Sequence, residues 1–139
     1  MPARLAPGAI IRVPDVRDPG GQNPKDRRFV VLEHQVLPTG EVRVVGAFVT
    51  GTLLKPLPED HVPIKQWAPN GRCRTGLTKP SAAVCSSNYI YKFTFKSATE
   101  HKVIGFVDGQ TLAAIAAKVD GLSVQPGGEE GQEGNSPGT

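Results

Sequence analysis

Cysteine, histidine and tryptophan are scarce in this 139-residue chain, with two, three and one copies. Cys73 and Cys85 have no CxxC partner spacing, and in a reducing compartment such an isolated pair reads as two idle or buried thiols rather than a disulfide. His34, His61 and His101 are scattered without HxxxH spacing, so a designed zinc or iron site has nothing to be built from, and no metal or other cofactor is expected. No apolar run approaches the roughly 20 residues needed to span a bilayer. The start, "MPARLAPGAI", lacks the charged, apolar and cleavage-site order of a signal peptide. The expectation is a cytoplasmic protein with no membrane partner.

What is present is a basic, β-rich pattern. The formal charge is +3, and setting aside the three glutamates of Ser123 to Thr139 (Glu129, Glu130 and Glu133) leaves +6 on residues 1–122. Such a field attracts polyanions, although a charge of this size also serves solubility alone. "AIIRV" predicts a strand from about Gly8 to Val13. "PDVRDPGGQNPKD" from Pro14 to Asp26, with three prolines and two glycines, predicts a long loop that is neither strand nor helix. "RFVVLEHQVL" and "EVRVVGAFVT", joined by Pro38-Thr39-Gly40, predict a hairpin, with Gly46 marking a bulge or bend.

"HVPI" predicts a short edge strand, because Pro63 cannot donate to a ladder. A polar loop from Lys65 to Pro80 leads to "SAAVC" and then to "NYIYKFTFK", where Tyr89, Tyr91, Phe93 and Phe95 alternate with Ile90, Lys92, Thr94 and Lys96. "HKVIGFV" is a further strand. "DGQTLAAIAAKVDGL" predicts a closing helix, with Asp108 as N-cap, a stripe at Leu112, Ile115, Ala116 and Val119, and Gly121 as its stop. Beyond residue 122 the Gly, Glu, Gln, Ser and Pro composition cannot offset the entropy of ordering. The chain therefore divides into a domain at 1–122 and a disordered acidic tail at 123–139.

Four segments carry a more specific signal when taken together: "PGAIIRV", "GGQNPKDRRFVVLE", "VVGAFVTGT" leading to "LPEDHVPI", and "GLTKPSAAVCSSNYI". In this order and spacing, across about residues 7 to 119, the chain resembles the PemK/MazF family of toxins from type II toxin-antitoxin systems. The resemblance implies a mostly-β, SH3-like small β-barrel of the PemK/MazF/CcdB type with a C-terminal helix. It also implies a homodimer that cuts single-stranded mRNA without a metal, and an antitoxin partner whose acidic disordered segment covers the RNA groove.

Matched motif to motif, the family's catalytic loop arginine and strand-end threonine fall on Arg27 and Thr50. The implied chemistry is attack of a ribose 2′-OH on the adjacent phosphodiester, leaving a cyclic phosphate and a free 5′-OH. A guanidinium can hold the phosphate bidentately and a threonine hydroxyl can donate a further hydrogen bond. Neither residue accounts for removal of the 2′-OH proton; His34 and His61 are the imidazoles closest to these motifs. Gln22, Lys25, Arg28, Arg72, Arg74 and Lys79 are the further candidates for contact with RNA.

The chain departs from the family pattern at three places. Gly20-Gly21-Gln22-Asn23 lacks a loop glutamate, Arg28 replaces a proline, and Ala9 stands where an acidic residue is common. The aromatic row from Tyr89 to Phe95 suits either a base-stacking platform or core filling, and the shortage of other large side chains favours the core. The alternative to a nuclease is a non-catalytic SH3-like domain that binds nucleic acid or protein.

Overall fold

The structure, a computed structural model, describes residues 5–120, the side chain of residue 98 excepted. The expected tail at 123–139 and the Gly121 helix stop lie outside the described residues. Within them, seven antiparallel strands form one sheet and a single helix follows. The strands are β1 (Ala9–Val16), β2 (Lys25–Val36), β3 (Val42–Thr50), β4 (His61–Ile64), β5 (Ser81–Val84), β6 (Ile90–Phe95) and β7 (Lys102–Phe106), and the helix is α1 (Gly109–Asp120). No helix among them is long and apolar enough to cross a membrane.

The sheet runs in the order β4-β5-β3-β2-β1-β7 and does not close into the expected barrel. Strand β3 carries two partners along one edge: Val42–Ala47 pair with β6, and Phe48–Thr50 pair with β5. The sheet therefore branches there instead of returning on itself. Pro63 lies in β4, which pairs with β5 alone, so the missing N–H falls on an edge strand as its chemistry requires.

Alternation along the strands sorts apolar side chains into two clusters. Ile10, Val30, Ala47, Val49, Val62, Ile64, Ala83 and Val107 pack beneath Ile115 of α1. Ile11, Val13, Phe29, Val31, Val44 and Phe95 form the second cluster, on the opposite side of β1 and β2. Each fully buried Ile, Val or Phe stabilises by about 1.5–3 kcal/mol before entropy is charged. The helix starts as its sequence dictates: Asp108 Oδ1 accepts the Thr111 N–H at 2.7 Å, and this bond holds the Asp108 carboxyl below its ordinary range. Both cysteines are free thiols, and burial pushes that of Cys85 up to about 11.

Two expectations are corrected. The stretch from Pro14 to Asp26 is not all loop: β1 continues through Pro14 to Val16 and β2 begins at Lys25. A register shift between Val13 and Val16, with Asp15 at φ 55°, absorbs the proline and lets pairing resume at Val16 and Lys25. The bulge expected at Gly46 is present beside it, with Leu32 of β2 as the extra residue between the Val31–Gly46 and Glu33–Val45 pairs, and Gly46 also allows a close approach, since an added Cβ would sit 3.0 Å from the Phe29 Cβ. Tyr89 belongs to a 3-10 turn, Ser87–Tyr89, and the strand proper starts at Ile90.

The loop before β5 is polar in composition but docked. The Arg74 carbonyl accepts the Phe106 N–H at 2.8 Å, covering the free edge of β7, and the wholly buried Thr75 hydroxyl donates to the Gln66 carbonyl at 2.6 Å. Gly76, at φ 72°, lies so close to β7 that a Cβ would overlap the Ile104 carbonyl. Gly76→Ala should therefore destabilise the domain by more than the roughly 1–3 kcal/mol of a strained φ alone, read as a drop in the urea midpoint.

His101 packs 4.5 Å from the Phe95 ring, and its Nδ1 is enclosed without a partner. Burial pulls its imidazole below the ordinary 6.5, against a small opposing pull from Glu100. Stability from the neutral ring is full above 6.5 and is lost as pH falls below it. The melting temperature should fall between pH 7 and pH 5, and His101→Phe should flatten that part of the profile.

Candidate functional site

Two of the residues singled out in the sequence, Arg27 and Thr50, lie at one end of the sheet, where β1 ends, β2 begins and β3 ends. Pairing sets Phe29 opposite Phe48, Phe48 opposite Val84 and Val84 opposite His61, so these four side chains share one face across β2, β3, β5 and β4. The β2–β3 ladder ends at the Arg28–Val49 pair, and one further step along it corresponds to Arg27 and Thr50. Arg27 alternates with Arg28, so it shares the face of Phe29, while Thr50 shares that of Phe48. A cleft of about 310 Å³ opens beside them, bounded by Asp18, Thr50, Leu54, Asp60, His61 and Tyr89.

Arg27 is only 8% exposed, and its guanidinium is committed to the chain itself. Nε donates to the Val16 carbonyl at 2.8 Å and Nη2 to the Asn23 carbonyl at 2.5 Å, while Cζ lies 5.6 Å from the centre of the Phe48 ring. It thereby ties the Arg17–Pro24 hairpin loop to β2. Two of its five N–H groups are used in this way, leaving three for a phosphate. The Thr50 Oγ1 accepts the Thr52 N–H at 3.1 Å, and its own O–H remains to be donated. Arg27 and Thr50 do not hydrogen-bond to each other; they border the same region from adjacent strands.

The loop is organised around Asp18. Its carboxylate accepts the Gln22 N–H at 2.9 Å and the Asn23 side-chain amide at 3.2 Å. These bonds, that from Gln22 above all, hold the Asp18 carboxyl below its ordinary value despite desolvation, with a smaller contribution from the Arg27 charge. Across the cleft, the Asp60 carboxylate stands 3.6 Å from His61 Nε2, while His61 Nδ1 is enclosed without a partner. The imidazole is 13% exposed.

Of the other sequence candidates, Lys79 comes nearest: its side chain lies over Gly51, so closely that a Cβ there would overlap Cε. Gln22 and Lys25 are exposed at the loop. Arg28 points to the opposite face of the sheet, and Arg72 and Arg74 sit in the docked loop, where Arg74 Nη2 donates to the Val107 carbonyl at 3.4 Å. His34 is exposed and paired with Val44, toward the far end of the β2–β3 hairpin, away from the cleft. Asp18, Asp60 and Phe48 were not singled out in the sequence. The turn chemistry of Asp18-Pro19-Gly20-Gly21 pointed to the first, and nothing local to the other two.

The aromatic row packs against the core, as the shortage of other large side chains favoured. Phe95 is buried, and Phe29 is wholly enclosed at its centre, 4.9 Å from Tyr91 and 5.0 Å from Phe93. Tyr89, Tyr91 and Phe93 remain half-buried, with Tyr91 Oη donating to the Arg17 carbonyl at 2.9 Å. Among the described residues, no three His, Cys, Asp or Glu side chains converge as a metal site. Comparison of the sequence with models of known families and with curated proteins found no match.

Removing the Arg27 side chain leaves two loop carbonyls without donors. Arg27→Ala should cost about 1–3 kcal/mol of stability and speed amide hydrogen exchange across residues 17–24, while exchange in β6 stays slow.

Proposed function

We propose that this chain is a toxin of the PemK/MazF kind, with an SH3-like ancestry for its sheet, that cuts single-stranded RNA by 2′-OH attack. The observation that carries the reading is that Arg27 and Thr50 lie on one face of adjacent strands, Thr50 lining a cleft that also holds an imidazole and Arg27 set against the Phe48 ring of its wall. The free N–H groups of Arg27 and the Thr50 hydroxyl donate to the scissile phosphate, stabilising charge that grows on its oxygens. His61 takes the 2′-OH proton on Nδ1 once RNA binding uncovers that atom, which the fold encloses, while Nε2 faces the Asp60 carboxylate, 3.6 Å away, that stabilises the resulting imidazolium. The 2′-oxygen bonds to phosphorus as the P–O5′ bond breaks, which closes the cyclic phosphate, and the departing 5′-oxygen takes a proton from solvent water. No step requires a metal.

The setting is cytoplasmic and the working form a homodimer. The partner is an antitoxin with an acidic, disordered segment that folds over the cleft, where Leu54, 55% exposed, offers an apolar contact; the cleft lining itself carries Asp18 and Asp60, so the cation that would meet the segment is Lys79, which lies over Gly51. One observation favours the second reading, a non-catalytic nucleic-acid-binding domain: the Arg27 guanidinium already holds two backbone carbonyls.

Incubating the purified protein with single-stranded RNA and a chelator separates the two. Wild type should cut, leaving cyclic phosphate ends. Thr50→Val should slow cleavage by about 10²–10³-fold, as for loss of one oxyanion donor, and His61→Ala by about 10²–10⁴-fold. Intact RNA in the wild-type lane would remove the nuclease and leave the binding domain.

A further inference from the structure

Strand register brings three cations abreast. Arg12 of β1 is paired with Lys102 of β7 on one side and with Arg28 of β2 on the other. Directly opposed residues of antiparallel strands project to the same face, with Cα atoms about 4.5–5.5 Å apart. Like charges in that relation repel, so the row works against the fold unless something else uses it.

Nothing within the described residues neutralises it. The one ion pair there joins His61 and Asp60, and no carboxylate comes within 4.0 Å of a lysine or arginine nitrogen. None of the three side chains donates a hydrogen bond within the described residues, and the Arg28 Nε–H is enclosed with no acceptor among them. The contrast with Arg27 is direct: the guanidinium on one face is spent on loop carbonyls, whereas its neighbour in sequence on the other face keeps its donors. Asp26, two residues before Arg28, and Glu100, two residues before Lys102, are the nearest carboxylates in sequence, and neither forms an ion pair with the row among the described residues.

We propose that the Lys102–Arg12–Arg28 row is a second binding site, which grips the sugar-phosphate backbone of a single-stranded RNA outside the cleft. The row lies at the same end of the sheet as Arg27 and Thr50, because Arg28 follows Arg27 and stands opposite Val49, the residue before Thr50. A strand held at the cleft can therefore pass over the end of the sheet and onto the row. Two guanidiniums beside an ammonium suit phosphates, which the planar forks engage bidentately. This inference rests on the reading of the chain as RNA-binding, and it is independent of whether the cleft cuts.

The test is binding of a fluorescent 2′-O-methyl RNA, which cannot be cleaved, followed by anisotropy across a range of salt concentrations. The proteins are wild type, Arg12→Gln, Lys102→Gln, the triple glutamine variant of the row, and Arg43→Gln as an exposed-cation control near the β2–β3 turn. Each phosphate contact on a single strand contributes roughly 0.7 to the salt slope. The triple variant should lose about 2 from the slope and bind at least tenfold more weakly at low salt. Each single variant should lose a share, and Arg43→Gln nothing.

Melting temperatures of the row variants should hold or rise, since repulsion is relieved. An unchanged slope in folded single and triple variants overturns the site. So does a result in which an oligoglutamate peptide loses affinity for the variants while RNA does not, which would assign the row to an acidic protein segment. Because the 2′-O-methyl probe cannot be cleaved, its salt slope is read whether or not wild type cuts natural RNA, so failure of the nuclease reading and failure of the row are read separately.

Discussion

Strand β3 is bonded along both edges, and one of those edges is divided between two partners. Its first six residues hold β6 and its last three hold β5, while β2 runs along the other side. This division places the aromatic strand β6 and the short β4–β5 pair on either side of one branch point. The cleft forms there, between Phe48 and Thr50 of β3 and the residues that β4 and β5 bring alongside. Gly46 stands just before the branch, where its missing side chain admits the Phe29 Cβ. The wholly buried Phe29 ring then fills the inner face against Phe48, Tyr91 and Phe93. Backbone pairing and aromatic packing thus impose the same geometry.

The cations around this frame follow three different courses. Arg27 is buried and anchors the loop after β1 through the Val16 and Asn23 carbonyls, Lys79 lies across Gly51 beside Thr50, and the Lys102–Arg12–Arg28 row has no partner among the described residues. Charge buried for structure needs acceptors supplied by the fold, and the Val16 and Asn23 carbonyls supply them. Charge left without acceptors costs stability through repulsion, and that cost has a rationale only if a polyanion offsets it.

Much of the architecture was legible because alternation and turn chemistry are local. The hairpin of β2 and β3, the edge position of Pro63 and the Asp108 cap each follow from a few adjacent residues. What escaped depends on register or on distant partners. Three prolines between residues 14 and 26 argued for loop, yet a bulge and one left-handed residue carry β1 to Val16. The nearness of Arg27 and Thr50, one step beyond the Arg28–Val49 pair, was available only through the family resemblance, since nothing local joins residues 27 and 50. The cationic row involves residues 12, 28 and 102, and no pattern along the chain could align them before the pairing of three strands was known.

The Arg17–Pro24 loop is fastened from two directions, by the Arg27 guanidinium of β2 and by the Tyr91 hydroxyl of β6. Because Asp18 and Gln22 also close the loop on itself, it cannot peel away one residue at a time. Displacement breaks both fastenings together, so a molecule that grips its tip loosens the rim of the cleft and the tyrosine contact in a single cooperative event.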